Sequence, residues 1–275
     1  KSNAKNPVPI SGNFYYLGTY NGNGLPDYLE PVGDNLSQAF LDDTDASLPE
    51  GQPVPQYNPQ YLTSGNELDV VITDKSDVWV TFVTEGAGYR NALGYYSFDT
   101  NNPPTNVSQI DSIFVVLPNA SLNGSGGQLN PGNKVKIGTF DPGKTISWVI
   151  FQNAWNGPTG TVDVNKTKFY SKSDFNTSED PAFRQHTVQL ADFANQRLLN
   201  GFEDLFRSNG KSDEDFNDLI FYVTANPWEA VDISNILPVT PANDSDGDGI
   251  NDANDDFPDF ANKAIVNTYT GSLAF

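Results

Sequence analysis

Apolar and polar positions alternate with a period of two along much of this chain from about residue 68 onward. Val78, Val80 and Phe82 fall on one side of such a run and Trp79, Thr81 and Val83 on the other, the pattern of a strand rather than a helix. The segments 110–118 (IDSIFVVLP), 133–140 (NKVKIGTF), 145–153 (TISWVIFQN), 184–192 (RQHTVQLAD) and 218–226 (DLIFYVTAN) repeat it. Between them lie turn-forming stretches such as PNASLNGSGGQLNPG and NAWNGPTG. Many short strands separated by such turns predict an all-β fold, an antiparallel β-sandwich of jelly-roll type. Residues 1–66 scatter short apolar patches such as FYYLG among Pro, Asn and Gly. They read as an irregular segment packed on the sandwich, with a short helix over 34–42. The sandwich itself is expected over 67–230. Residues 231–275 read as a linker with an Asp-rich loop, followed at 271–275 (GSLAF) by the start of a further domain in a longer protein.

Composition narrows the function. Hydrophobic residues make up 37% of the 275 positions, enough to offset the entropy of ordering the chain, so a disordered protein is excluded. With no cysteine, a disulfide framework, thiolate metal sites and thiol catalysis are excluded as well. Asp and Glu number 35 against 15 Lys and Arg, a net charge of -20. Such a surface repels nucleic-acid phosphates and anionic membranes and attracts cations. No run approaches the roughly 18 apolar residues of a membrane helix.

Three segments have the chemistry of cation sites. The first is DSDGDGINDAND, 244–255. A calcium loop of the EF-hand kind takes side-chain oxygens from positions 1, 3, 5, 9 and 12, a backbone carbonyl from 7, and a turn glycine at 6. Here those positions hold Asp244, Asp246, Asp248, Asp252 and Asp255, the Ile250 carbonyl and Gly249. A weaker copy runs from Thr19, with Asn21, Asn23, Asp27 and Glu30 in the same frame and Gly24 at the turn. The third, 201–226, sets Glu203 and Asp204 before a loop and Asp213, Asp215, Asn217 and Asp218 after it, at the mouth of an apolar strand. Acids crowded there are costly unless a cation neutralises them, and an all-oxygen donor set favours calcium.

Together, LGTYNGNGLPDYLEP, VWVTFVTEGAGYRNALGYYSFD, GFEDL…SDEDFNDLIFYVTAN and DSDGDGINDANDDFPD resemble the N-terminal part of LruC-domain proteins. The FEDL…DFNDLIF block is the most specific part of that likeness. The resemblance implies a β-sandwich, a bacterial envelope or surface protein (a lipoprotein of the outer membrane in some members) and bound calcium. It implies no established activity.

Enzyme readings fare poorly on the residues. His186 is the single histidine and shares a strand pattern with Val188 and Leu190, as a satisfied core histidine would. No GxSxG turn is present. The acids sit in Asp/Asn/Gly clusters, whereas a glycosidase general acid needs an isolated apolar setting. The expectation is therefore a non-catalytic, calcium-binding structural or adhesion module, outside the cytoplasm, with calcium ions and another envelope protein as partners. The alternative is a carbohydrate-binding module. For that reading Trp155, between turn residues, is the best exposed aromatic platform and Tyr89 the next. Tyr95, Tyr96, Trp79 and Trp148 are expected in strands and core.

Overall fold

The computed structural model describes residues 7–243 and Phe257. Strands β1 (Val8–Ser11) and β2 (Phe14–Tyr16) come first, then helices α1 (Gln38–Ser47) and α2 (Val54–Tyr57). There follow β3 (Val70–Ile72), β4 (Ser76–Thr84), β5 (Ala92–Asp99), β6 (Ile113–Leu117), β7 (Lys134–Phe140) and β8 (Lys144–Phe151). The short strands β9 (Trp155–Asn156), β10 (Thr161–Val162) and β11 (Lys168–Tyr170) lead to β12 (Thr187–Asp192), β13 (Arg197–Phe202) and β14 (Leu219–Asn226). Two short pieces, β15 (Val231–Asp232) and β16 (Leu237–Pro238), complete the set.

These strands form an all-β sandwich. One sheet runs β1-β2-β6-β5-β8-β3-β15, with β11 also paired to β8, and the other runs β16-β12-β13-β14-β4-β7. Pairing is antiparallel except for β2 on β6 and β16 on β12. The inward residues of β4 and β14, among them Val78, Val80, Phe82 and Phe221, meet Leu93, Tyr95, Trp148 and Ile150 of the facing sheet. Trp148 has no exposure and lies edge-on to Phe221, ring centroids 5.1 Å apart. Each such large side chain contributes about 2–3 kcal/mol by leaving water.

Both outer faces are also covered, which is why strands such as β6 read as continuous apolar runs. Phe40 from α1, Leu48 just after it, Val54 and Tyr61 pack on Val83, Leu190, Leu199 and Tyr222 of the second sheet. The chain from Trp155 to Phe175 packs on Tyr96, Val115, Val149 and Phe151 of the first.

Two sequence boundaries shift. The helix expected over 34–42 begins at Gln38, because the Ser37 hydroxyl accepts the Phe40 N–H and caps it. Asp34 stays outside the helix, and its carboxylate accepts from Lys134 (2.9 Å), Thr81 (2.8 Å) and Tyr222 (2.7 Å). Residues expected to begin a linker at 231 instead add β15 and β16, one to each sheet. Strand β13, with Arg197, Asn200 and Gly201 in its run, lacks a clean alternation, yet it pairs on both sides at the middle of its sheet.

Candidate cation site at the sandwich rim

Strand register explains how residues 203 and 218 meet. Phe202, the last residue of β13, pairs with Leu219, the first of β14. Glu203 and Asp218 therefore stand side by side at the ends of adjacent strands, with the loop 203–218 rising from them. Thr84, at the end of β4, pairs with Ile220, which brings Glu85 and Gly86 to the same rim. The facing sheet supplies Asn91, just before β5, and Gln152, just after β8. The Asn91 amide donates to Asp204 Oδ2 at 2.5 Å and Gln152 donates to the Asp204 carbonyl at 2.7 Å.

Glu203, Asp204 and Asp218 each place a carboxylate oxygen within 4.8 Å of the other two. Glu203 has no exposure and Asp204 only 2%. Asp218 Oδ2 accepts the Asp204 backbone N–H at 2.7 Å, and Glu203 Oε1 accepts the Leu205 N–H at 3.3 Å. Glu203 Oε2 is buried and has no hydrogen-bond partner. Burial is the largest cause pushing all three carboxyls up: Asp218 to about 10, with the Asp204 and Glu203 charges adding to it, Glu203 to about 7 and Asp204 to about 6. Without a cation, the cluster relieves its repulsion by holding protons.

A second group, Glu50, Asp213 and Asp215, also converges within 4.8 Å. Asp215 is buried; its Oδ2 accepts the Gly51 N–H at 2.8 Å and its Oδ1 the Asn217 N–H at 3.1 Å. Burial raises its pKa, and the neighbouring charges of Asp213 and Glu50 add to the rise. Asp213 acts on Glu203 and Asp204 too, so it links the two groups electrostatically. The backbone here is constrained. Glu214 and Phe216, on either side of Asp215, hold φ of 62° and 61°, a region that costs a non-glycine residue of order 1–3 kcal/mol. Gly86 lies against this group. A methyl at its Cα would come within 2.6 Å of Asn217 Oδ1 and 3.2 Å of Glu50 Oε2, so any side chain there would fill the space between the donors. Asn217 also offers its amide to the Leu48 carbonyl at 3.5 Å.

Of the residues singled out from sequence, the rim thus gathers Glu203, Asp204 and Asp218 in one group and Asp213 and Asp215 in the other, with Asn217 beside the second. Sequence reading missed Glu50, Glu85, Gly86 and Asn91. They lie far from 203–218 along the chain, and nothing local marks them as acid-site residues.

The loop at 19–30 directs its oxygens elsewhere. Asn21 Oδ1 accepts the backbone N–H groups of Asn23 (2.9 Å) and Leu25 (3.1 Å), a side-chain-capped turn. Glu30 Oε1 accepts the Trp79 indole N–H at 3.0 Å, while Asn23 and Asp27 are exposed. The Asp-rich loop, with Asp244, Asp246, Asp248, Ile250, Asp252 and Asp255, lies outside the described residues.

Trp155 is not the exposed platform its turn-rich surroundings suggested. The β9–β10 hairpin folds back onto the first sheet, leaving the ring 5% exposed and edge-on to Tyr20. Tyr89 is 40% exposed. Trp79, expected in the core, points outward and is half-buried beneath the Lys134 and Lys136 ammonium groups. His186 is fully buried: its ring stacks on Phe169 at 3.9 Å, Nδ1 meets the Glu203 carbonyl at 3.1 Å and Nε2 meets Glu179 at 3.2 Å. Burial pulls the imidazole down to about 4, against the pull of those two oxygens.

Fold and site together define an all-β sandwich with a rim of buried carboxylates. A family model described as a domain of unknown function (DUF4114) matches residues 140–226. That span carries every rim acid from Glu203 to Asp218, but not Glu50, Gly86 or Asn91. No curated protein and no solved structure matches the chain.

Proposed function

We propose that this chain is a calcium-binding, non-catalytic structural or adhesion module of a bacterial envelope protein, in which calcium fixes the loops at the rim of the sandwich. The observation that carries the reading is Glu203 Oε2. It is a buried carboxylate oxygen without a hydrogen-bond partner, on a residue whose carboxylate lies within 4.8 Å of those of two further acids. A buried unpaired acceptor costs about 1–3 kcal/mol, more when charged. An ion between the three carboxylates removes that cost and the repulsion together. The donors are all oxygen, as a hard cation requires, and their number, with backbone carbonyls and water, suits the six to eight ligands of calcium better than the tight octahedron of magnesium.

Glu203, Asp204 and Asp218 would hold one ion, and Glu50, Asp213, Asp215 and Asn217 a second. Calcium supplies charge neutralisation and a fixed loop geometry, and no reaction. Three clefts among the described residues are lined by other residues than these acids, which favours a binding role for the acids over general acid–base catalysis. Binding only to the folded state stabilises it by RT ln(1 + [L]/Kd). With a Kd of about 10 µM, the millimolar calcium outside a cell gives about 2.7 kcal/mol. An extracytoplasmic location fits this range and the resemblance to envelope proteins. Among the described residues no helix is long and apolar enough to cross a membrane.

Calorimetry on chelator-stripped protein, with parallel thermal melts, tests the reading. Binding of calcium with a raised Tm is expected. Heatless titration and an unchanged melt would remove the proposal.

A further inference from the structure

Beside the rim, but separate from its acids, lies a groove of about 590 Å³ between the loop 88–90 and the β8–β10 segment. Its side chains include Tyr89, Arg90, Asn153, Asn156, Asp163 and Lys166. In a chain with 35 acids and 15 bases, most bases would be expected to find a carboxylate. Among the described residues, the Arg90 guanidinium and the Lys166 ammonium have no ion pair or hydrogen bond. The guanidinium fits closely into its place: a methyl at Gly126 would fall 2.9 Å from Arg90 Nε and one at Gly157 3.0 Å from Nη1. The two asparagines use their Oδ1 atoms internally, on the Arg90 and Thr159 backbone N–H groups at 3.3 Å each. Their NH2 groups are left to donate outward. The one acid lining the groove, Asp163, accepts the Asn165 N–H at 3.0 Å.

The concavity therefore presents two unpaired cations, two free amide donors and a phenol ring that is 40% exposed. We infer that this groove binds an acidic saccharide, a sugar carrying a carboxylate or sulfate. Arg90 takes the anionic group through a two-pronged, charge-assisted pair. Lys166 adds a second positive charge, the asparagine amides donate to ring hydroxyls, and Tyr89 offers an apolar face to the sugar. A few fixed polar groups around an apolar contact are the usual make-up of a small-ligand site. The walls are tied to the rim, since Asn91 accepts the Asn153 N–H at 2.8 Å and donates to Asp204, but no groove residue belongs to either acid group.

The test is a titration, by calorimetry and saturation-transfer NMR, with oligoglucuronate, oligogalacturonate and sulfated chondroitin-type tetrasaccharides. Each is paired with its carboxyl-reduced or desulfated counterpart, and all runs contain saturating calcium. At least one acidic probe should bind, its neutral counterpart about tenfold or more weakly, and Arg90→Ala should weaken the acidic probe by about the same factor. Lys166→Ala should weaken it several-fold and steepen nothing else. Binding by none of the acidic probes, equal binding of acidic and neutral forms, undiminished binding by Arg90→Ala, or equally tight binding of an aspartate-rich peptide would each overturn the inference. Calcium stoichiometry measured on Arg90→Ala should match that of the parent protein, so a failure of the groove is distinguishable from a failure of the cation site.

Discussion

Replacing Asp218 with asparagine separates the cost of the rim acids from their use. Burial and the two neighbouring carboxylates push Asp218 to about 10, so at pH 7 the cation-free protein holds it neutral. Asparagine imitates that neutral form. Its Oδ1 can accept the Asp204 N–H that Asp218 now takes at 2.7 Å, and its NH2, like the protonated acid, puts no negative charge beside Glu203. In chelator, Asp218→Asn should therefore melt within about 2 °C of the parent, no more than the effect of about 1 kcal/mol. Calcium tells the two apart. The parent should gain about 2.7 kcal/mol at a hundredfold excess over Kd, which for a domain of this size is a rise of about 5–10 °C. The variant lacks one charged ligand and should keep only the part of the rise that other sites supply. Calorimetry in buffers of different ionisation enthalpy adds a second readout. Calcium must displace the Asp218 proton and part of that on Glu203, whose pKa is about 7, so about one to two protons should leave per ion at pH 7. A variant with the parent's full calcium increment, or one that unfolds in chelator, would refute this reasoning.

Gly86→Ala should fill the space between Asn217 Oδ1 and Glu50 Oε2; calorimetry should count one ion fewer than in the parent, and retention of the full count would clear Gly86 of that role. In chelator, stability should fall between pH 6.5 and 9. The folded-state values of Glu203 (about 7) and Asp218 (about 10) lie above the unfolded ones of about 4. The folded state thus binds more protons than the unfolded one, and stability is lost as pH rises through the raised values. Saturating calcium should flatten that slope, as denaturant titrations across the range would detect. Below pH 6.5 His186 works the other way, because its folded value of about 4 lies below the unfolded one and the unfolded chain takes the proton first. Trp148→Ala should cost about 3–5 kcal/mol in denaturant unfolding, with calcium or without, because it empties the space against Phe221 between the sheets.

Much of the sandwich could be read from the chain because its central strands advertise themselves. β4 alternates cleanly, and β6, β8 and β14 are apolar on both faces because both outer faces of the sandwich are covered. β13 escaped notice because Arg197, Asn200 and Gly201 interrupt its pattern; its place in the sheet comes from pairing with β12 and β14, a tertiary effect. The acids from Glu203 to Asp218 were visible since they are neighbours in sequence, and the Phe202–Leu219 pairing turns that nearness into contact. Glu50, Gly86 and Asn91 were not, because only the sandwich carries them to the rim. Trp155 misled for a related reason: turn residues on both sides predict a loop, but not whether the loop folds back onto a sheet. At 19–30, spacing alone suggested a cation loop, while the backbone N–H groups and the Trp79 indole compete for the same oxygens and hold two of them.

The central claim is that an ion sits among Glu203, Asp204 and Asp218. The most direct check is a crystal grown in millimolar calcium and measured for anomalous scattering. The account predicts a peak about 2.3–2.6 Å from Glu203 Oε2, with oxygens of Asp204 and Asp218 completing its coordination. Ordered density for all three side chains, with no peak between them and Glu203 Oε2 facing only protein or water, would contradict it.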